Sequence, residues 1–491
     1  MVEIKEKIKD YFFKYVVNCA IAVEFVVAIF ICILVLVNVP TPNGDNVEHI
    51  HSSFLVANNF VPYRDFFQHH NPLMWFIFAP LTILFKYNAT ISEVVSFISF
   101  LVFLKSLVYV YKIVAEFLGN KIWGVLAGLF ILVPDFKIYS IDFRPDNYMV
   151  FCLMGGIYYY FSYLRDKKTK QLCVSFIWFC VAFLFAQKAL FPLFVLGLSG
   201  LYFWYKKEIK TNDMIKALGC AFVILGCFLG YLIRYEIVEL YLVSNYTFNL
   251  NLEEAFEFNR IANIPFYMKI WCVIAFFSLV MAIFSKNKYH LIIGGLFVSE
   301  FLQRKFYFTP YSYYYWLFLY LAVICAMPIL AKLDAKNRMV RLVFVVGIAW
   351  FMHGSYLHHM VVVTKNIGKN YLPDYITRNI TPCDYVFNGN GLMYNIFGKD
   401  PHYYWQLIGQ LDVIGEKTGI YPKPNMNELI LKYKPRFVYG LNYFDKMAEE
   451  KGKREIVHYI DKDIIDTYYK PAPFGGVYEL KSEYLAKCDK F

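Results

Sequence analysis

Apolar runs of about twenty residues recur through the first three quarters of this chain, separated by short charged loops. A helix of that length matches the hydrocarbon thickness of a bilayer, and lipid then replaces water as the outer solvent. The composition of the 491 residues agrees: 58% are hydrophobic, 20% aromatic and only 18% charged. The expected fold class is an all-α polytopic membrane protein, with a small α/β domain after the last span.

Spans are expected near 17–39, 92–111, 122–135, 146–163, 171–187, 189–205, 214–233, 266–285, 289–302, 312–331 and 340–363. Pro72–Phe85 is apolar but only about 14 residues long, which suits a re-entrant or interfacial helix better than a crossing. Loop charge supports that choice. If this stretch does not cross, the loops on one side hold twenty Lys and Arg, from Lys5 to Arg341, and those on the other side hold nine. The richer side is then cytoplasmic, giving eleven spans with the N-terminus inside and the C-terminus outside. Lys5, Lys7, Lys9 and Lys14 lead into the first run with no small-residue cleavage site evident, so that run is expected to be a retained signal-anchor. The net charge of +11 is accounted for by orienting loops and calls for no nucleic-acid partner.

Two parts are expected: residues 1–364, a transmembrane part with an outer loop at 40–91, and residues 365–491, a soluble extracytoplasmic domain. In the second, Met426–Tyr433 reads as a helix and Arg436–Tyr439 as a strand. Most of the eleven cysteines fall in apolar runs and no C-x-x-C pair occurs. Cys383 and Cys488 lie in the tail, and nothing in the sequence requires them to pair.

Titratable residues concentrate in the outer loop, in Gly44-Asp45-Asn46-Val47-Glu48-His49-Ile50-His51 and in Pro62-Tyr63-Arg64-Asp65-Phe66-Phe67-Gln68-His69-His70-Asn71-Pro72. Ordinary connections between spans are short and do not gather acids and imidazoles this way. The cluster has the chemistry to bind a metal, move protons or hold a phosphate. His49 and His51 are the candidate metal ligands, although spacing of two suits a strand better than one helix face, and no H-E-x-x-H signature appears. A second concentration is Asp142-Phe143-Arg144-Pro145-Asp146 at the outer end of the next hairpin. There Asp146 reads either as a helix-start acid or as a functional carboxylate, with Arg144 as its salt-bridge partner. Lys188, Arg304 and Lys305 stand at outer span ends, where they reach lipid headgroups or cradle a phosphate.

An acid opening an outer loop, Pro62-Tyr63-x-Asp65-Phe66 seventeen residues after Asp45, then His70-Asn71-Pro72-Leu73 and a short apolar segment, together form a familiar pattern. It resembles the protein O-mannosyltransferase and aminoarabinose lipid A transferase superfamily, related to glycosyltransferase family 39. The resemblance covers the first two hundred residues and is weak in the last third. It implies the C-type membrane glycosyltransferase fold and inverting transfer of a sugar from a polyprenyl-phosphate donor to a lipid, protein or glycan acceptor on the extracytoplasmic face. It also implies Asp45 as catalytic base and Asp146 as the second family acid. His70 falls at the position of a lysine beside the donor phosphate, and Tyr63, Arg64, Asp65, His69, Arg144, Lys188, Arg304 and Lys305 are the further substrate-binding candidates. Asn46 stands where the family has Glu, so Glu48 remains a second candidate for the base. No cofactor is required by such chemistry, with a divalent metal as the alternative. A polysaccharide polymerase or ligase using lipid-linked glycans is the rival enzyme, and a lipid or sugar transporter the rival from another class. The latter would need charges near mid-bilayer and broken helices, whereas the densest charge cluster here is in a loop.

Overall fold

The computed structural model describes residues 8, 11–38, 44–132, 141–251, 266–306, 315–366, 372–389, 394–403, 414–415, 419, 425–439 and 460–485. Its helices in chain order are α1 (Asn18–Asn38), α2 (Gly44–Ala57), α3 (Leu73–Leu84), α4 (Ile91–Ile113), α5 (Lys121–Leu132), α6 (Pro145–Asp166), α7 (Thr169–Phe185), α8 (Leu190–Tyr205) and α9 (Thr211–Arg234). After a helical run at 238–251 follow α10 (Phe266–Ser285), α11 (Lys288–Phe306), α12 (Trp316–Lys336), α13 (Met339–Asn366) and α14 (Leu372–Arg378). In its described residues, each of the eleven stretches expected to span contains a helix. Five helices among the described residues are long and apolar enough to cross a membrane: Tyr15–Leu34, Ile91–Leu118, Gln187–Tyr205, Thr211–Arg234 and Trp316–Lys336. Pro72–Phe85 contains only the 12-residue helix α3.

The chain divides into two compact units. The first takes Met1–Val39, Ser96–Phe228 and Asn259–Ile367; the second takes Pro40–Val95, Leu229–Phe258 and Gly368–Phe491. The tail thus shares a unit with the outer loop, a partition that differs from a split at 364/365.

In the first unit, α6 and α7 form a tight antiparallel hairpin. It turns at Lys167, whose left-handed φ of 57° ends α6. Gly156 permits the close approach: a Cβ there would lie 2.3 Å from Cε1 of the buried Phe179. The Ser175 hydroxyl donates to the Gly156 carbonyl across the same contact, at 2.9 Å. Elsewhere in this unit, Asp334 on α12 accepts from the Trp123 indole at 3.1 Å and pairs with Arg341 on α13.

In the second unit the tail forms a four-stranded sheet of order β1-β2-β4-β3, from β1 (Val386–Asn388), β2 (Phe437–Tyr439), β3 (Tyr469–Pro471) and β4 (Val477–Leu480). β1 and β2 are parallel, with Val386 opposite Phe437; β4 is antiparallel to both β2 and β3. Helix α15 (Met426–Tyr433) starts at Asn425, which exchanges hydrogen bonds with Glu428 three residues on, so a first-turn amide is satisfied. It packs Met426 and Ile430 against Phe387, Val438 and Leu480, joined by Ile465 from α16 (Lys462–Tyr468). Cys383 is disulfide-bonded. Cys488, its candidate partner in the sequence, lies outside the described residues.

Gly156→Val is expected to overpack the α6–α7 contact and cost about 1–3 kcal/mol. The measurement is the thermal unfolding of purified protein in detergent; an unchanged midpoint would show that Phe179 yields freely.

Candidate functional site

Helix α2 opens the second unit's ionisable cluster. Asp45 lies in its first turn, partly exposed, where the unsatisfied amides of a helix start favour a negative charge. Every residue from Asn46 to Leu55 is buried, so this part of α2 is enclosed on all its faces, and Glu48 (3% exposed) and His49 (1%) lie inside beside Val47, Ile50 and Phe54. Gln68 reaches in from the following loop. Its amide donates to Glu48 Oε1 at 3.0 Å and to the Ser52 hydroxyl at 2.7 Å. His70 closes the group, with its ring centroid 5.3 Å from that of His49 and 4.1 Å from that of His69. One ligand atom each from Glu48, His49 and His70 all lie within 4.8 Å of one another, and all three residues are buried. Trp75 on α3 walls the cluster: its ring stacks on His49 at 6.5 Å and its indole N–H donates to His49 Nδ1 at 3.3 Å.

His51 does not join this group. Both histidines lie on a helix, contrary to the strand reading, and at 3.6 residues per turn two positions are about 200° apart. His51 instead faces the tail. Its Nδ1 meets the Ile396 carbonyl at 2.9 Å and its Nε2 the Asp400 carboxylate at 2.6 Å. The candidate metal pair His49 and His51 is therefore replaced by Glu48, His49 and His70.

The Pro62-Tyr63-x-Asp65 stretch builds a turn that aims the loop. The Val61 amide donates to Asp65 Oδ2 at 2.7 Å, and the Asp65 amide returns a bond to the Val61 carbonyl at 2.9 Å. Tyr63 takes a left-handed φ of 69° and is fully buried. Its hydroxyl donates to the His70 carbonyl at 2.5 Å, and burial pushes the phenol well above its usual range. Tyr63 thus positions His70. Arg64 is exposed and pairs with its neighbour Asp65 at 2.8 Å. Burial pushes the Asp65 carboxyl up, but the Arg64 guanidinium and the Val61 amide outweigh it, so the group titrates below the ordinary carboxylate range. His69 packs on Phe248 at 5.1 Å, and its carbonyl accepts from Asn249 at 3.1 Å.

The first unit holds a separate charged group. Asp146 lies in the first turn of α6 behind Pro145, yet the helix start at Arg144 carries no side-chain capping bond. Instead the Asp146 carboxylate contacts the Lys188 ammonium, and Arg144 Nε stands 3.8 Å from its other oxygen. Lys188 comes from the short turn Gln187–Ala189 between α7 and α8. Arg144 and Asp146 are both buried, at 5% and 6% exposure. Arg304 and Lys305 occupy the last turn of α11, and their side chains lie outside the described residues. Gln68, Trp75 and Asp400 were not marked by sequence reasoning. Gln68 sits among the loop titratables and was legible there, whereas Trp75 and Asp400 gave no local signal.

Residues 69–233 match the family described as dolichyl-phosphate-mannose-protein mannosyltransferase. No curated protein matches the chain by sequence. Among solved structures, the oligosaccharyltransferase AglB from Archaeoglobus fulgidus, in complex with an inhibitory peptide and a dolichol-phosphate, is 11% identical with a TM-score of 0.51; the match covers 97% of this chain and 75% of that one. ArnT from Cupriavidus metallidurans, bound to undecaprenyl phosphate, is 11% identical with a TM-score of 0.53, covering 89% and 94%. The chain has the C-type fold of these membrane glycosyltransferases.

Lys188→Met alone should strand a buried carboxylate and cost about 3–5 kcal/mol, with Asp146→Asn/Lys188→Met costing less than the two single changes together. Thermal unfolding of the four proteins measures this coupling, and strict additivity would deny the pair. The Asp65 carboxyl, held low in the folded protein, contributes stability above its unfolded pKa that fades as pH falls through the folded value. Asp65→Asn should therefore flatten the acid limb of the stability–pH curve.

Proposed function

We propose that this chain is an inverting glycosyltransferase that moves a sugar from a polyprenyl-phosphate donor to an acceptor hydroxyl on the extracytoplasmic face. The observation that carries the reading is the family match over 69–233, which contains His70, Asp146 and Lys188. The fold supports it, since it is shared with proteins solved with dolichol-phosphate and with undecaprenyl phosphate. In this reading the chain crosses the membrane eleven times with its N-terminus inside.

Asp45 is the proposed base. Its carboxylate takes the proton from the acceptor hydroxyl as that oxygen bonds to the anomeric carbon. The bond from that carbon to the phosphate oxygen breaks, and its electron pair leaves with the polyprenyl phosphate. Attack opposite the leaving group inverts the anomeric centre. Partial exposure at a helix start suits Asp45 to this task better than Glu48, which is buried and accepts from Gln68. Lys188 and Arg144 are the proposed partners of the phosphate, because both can exchange Asp146 for a second anion. His70 is the proposed contact from the loop, donating a hydrogen bond from one ring nitrogen.

The test incubates purified protein with a panel of polyprenyl-phosphate sugars and an acceptor mixture, and measures released polyprenyl phosphate. Release is expected with at least one donor, and Asp45→Asn should lower its rate about 10²–10⁴-fold while leaving yield and unfolding temperature unchanged. Silence with every donor, or full activity in Asp45→Asn, would overturn the assignment. Cysteine labelling at positions 45 and 146 from either side of sealed vesicles tests the topology.

A further inference from the structure

We infer that Glu48, His49 and His70 form a binding site for a single divalent transition metal, Zn²⁺ being the best match. Three observations within the outer-loop unit carry this. First, the ligand atoms already lie within 4.8 Å of one another on side chains that are 3%, 1% and 7% exposed. Two imidazoles and one carboxylate form the donor set of mononuclear sites that keep an open position, and such ligands favour Zn²⁺ and its neighbours over Mg²⁺ or Ca²⁺.

Second, the site has an outer layer that orients its carboxylate. Gln68 donates to Glu48 Oε1 at 3.0 Å and is itself tied to Ser52, whose hydroxyl donates to the Glu48 carbonyl at 2.8 Å. Third, the elements that bring the ligands together are held independently of any ion. Tyr63 fixes the His70 backbone, the Tyr241 hydroxyl donates to Asn71 at 2.9 Å, and α2 presents Glu48 and His49 on adjacent positions.

Trp75 competes for His49. An indole only donates, so in the metal-free cluster its proton occupies His49 Nδ1. At 3.3 Å that bond is at the long end of the range and is a weak one for an ion to displace. A fourth coordination position remains open to water or to an oxygen of an anion. The inference goes beyond the transfer reading and does not rest on it, since the ion is measured without donor or acceptor.

The experiment uses the full-length, tag-free protein in detergent, stripped with chelator, re-equilibrated with Zn²⁺ and passed through a desalting column before elemental analysis. Wild type should retain about one equivalent that is absent from both Glu48→Gln and His49→Ala. His353→Ala, an exposed histidine on α13, should retain it. Gln68→Leu should weaken Zn²⁺ affinity about 10–100-fold, and Trp75→Phe should leave it equal or tighter. Glu48→Gln preserves shape, so it decides the matter if His49→Ala fails to fold. Wild type without bound ion, or Glu48→Gln retaining the same equivalent, would overturn the site whatever the outcome of the transfer assay.

Discussion

Glu48 is a carboxylate taken almost entirely out of water, and the outer-loop unit is organised around that fact. An ionised carboxyl in such a place needs donors or a cation, because desolvation otherwise outweighs what the fold gains by burying the helix. Gln68 supplies one donor, and the two imidazoles of His49 and His70 stand ready beside it. To put them there the chain bends sharply at Tyr63, accepts a left-handed backbone at a large residue and ties the turn with Asp65. The aromatic wall of Trp75 then keeps water away. The proton chemistry and the metal chemistry open to the cluster both follow from the same exclusion of solvent.

Much of this was legible beforehand because membrane solvation writes itself into sequence. Each apolar run read as a span is helical in its described residues, and Pro72–Phe85 holds the 12-residue α3. In the tail, Met426–Tyr433 and the strand ending at Tyr439 stand where periodicity put them. What failed were statements about facing. Spacing of two is strand-like when read along a line, but Gly44–Ala57 is a helix, and that sends His49 and His51 to opposite sides. The Pro-Tyr-x-Asp motif shapes the loop: Tyr63 is buried with its hydroxyl on the His70 carbonyl, and Asp65 ties the turn. Asp400 carried no signal, because its meaning depends on a residue hundreds of positions away.

The helical unit handles charge differently. Asp146 sits where a helix start would welcome an acid, yet its oxygens go to Lys188 and Arg144. Such a pair is costly to bury and gives little stability over an apolar replacement, so its presence calls for a reason other than holding helices together.

The bond between His51 and Asp400 joins positions 349 residues apart. A ribosome adding about 5–20 residues per second takes on the order of 20–70 s to cover that interval. Throughout it, α2 is already synthesised while the carboxylate that will receive its imidazole does not yet exist. The outer-loop helix therefore reaches its final bonding only near the end of translation, and a chain truncated before position 400 leaves it incomplete.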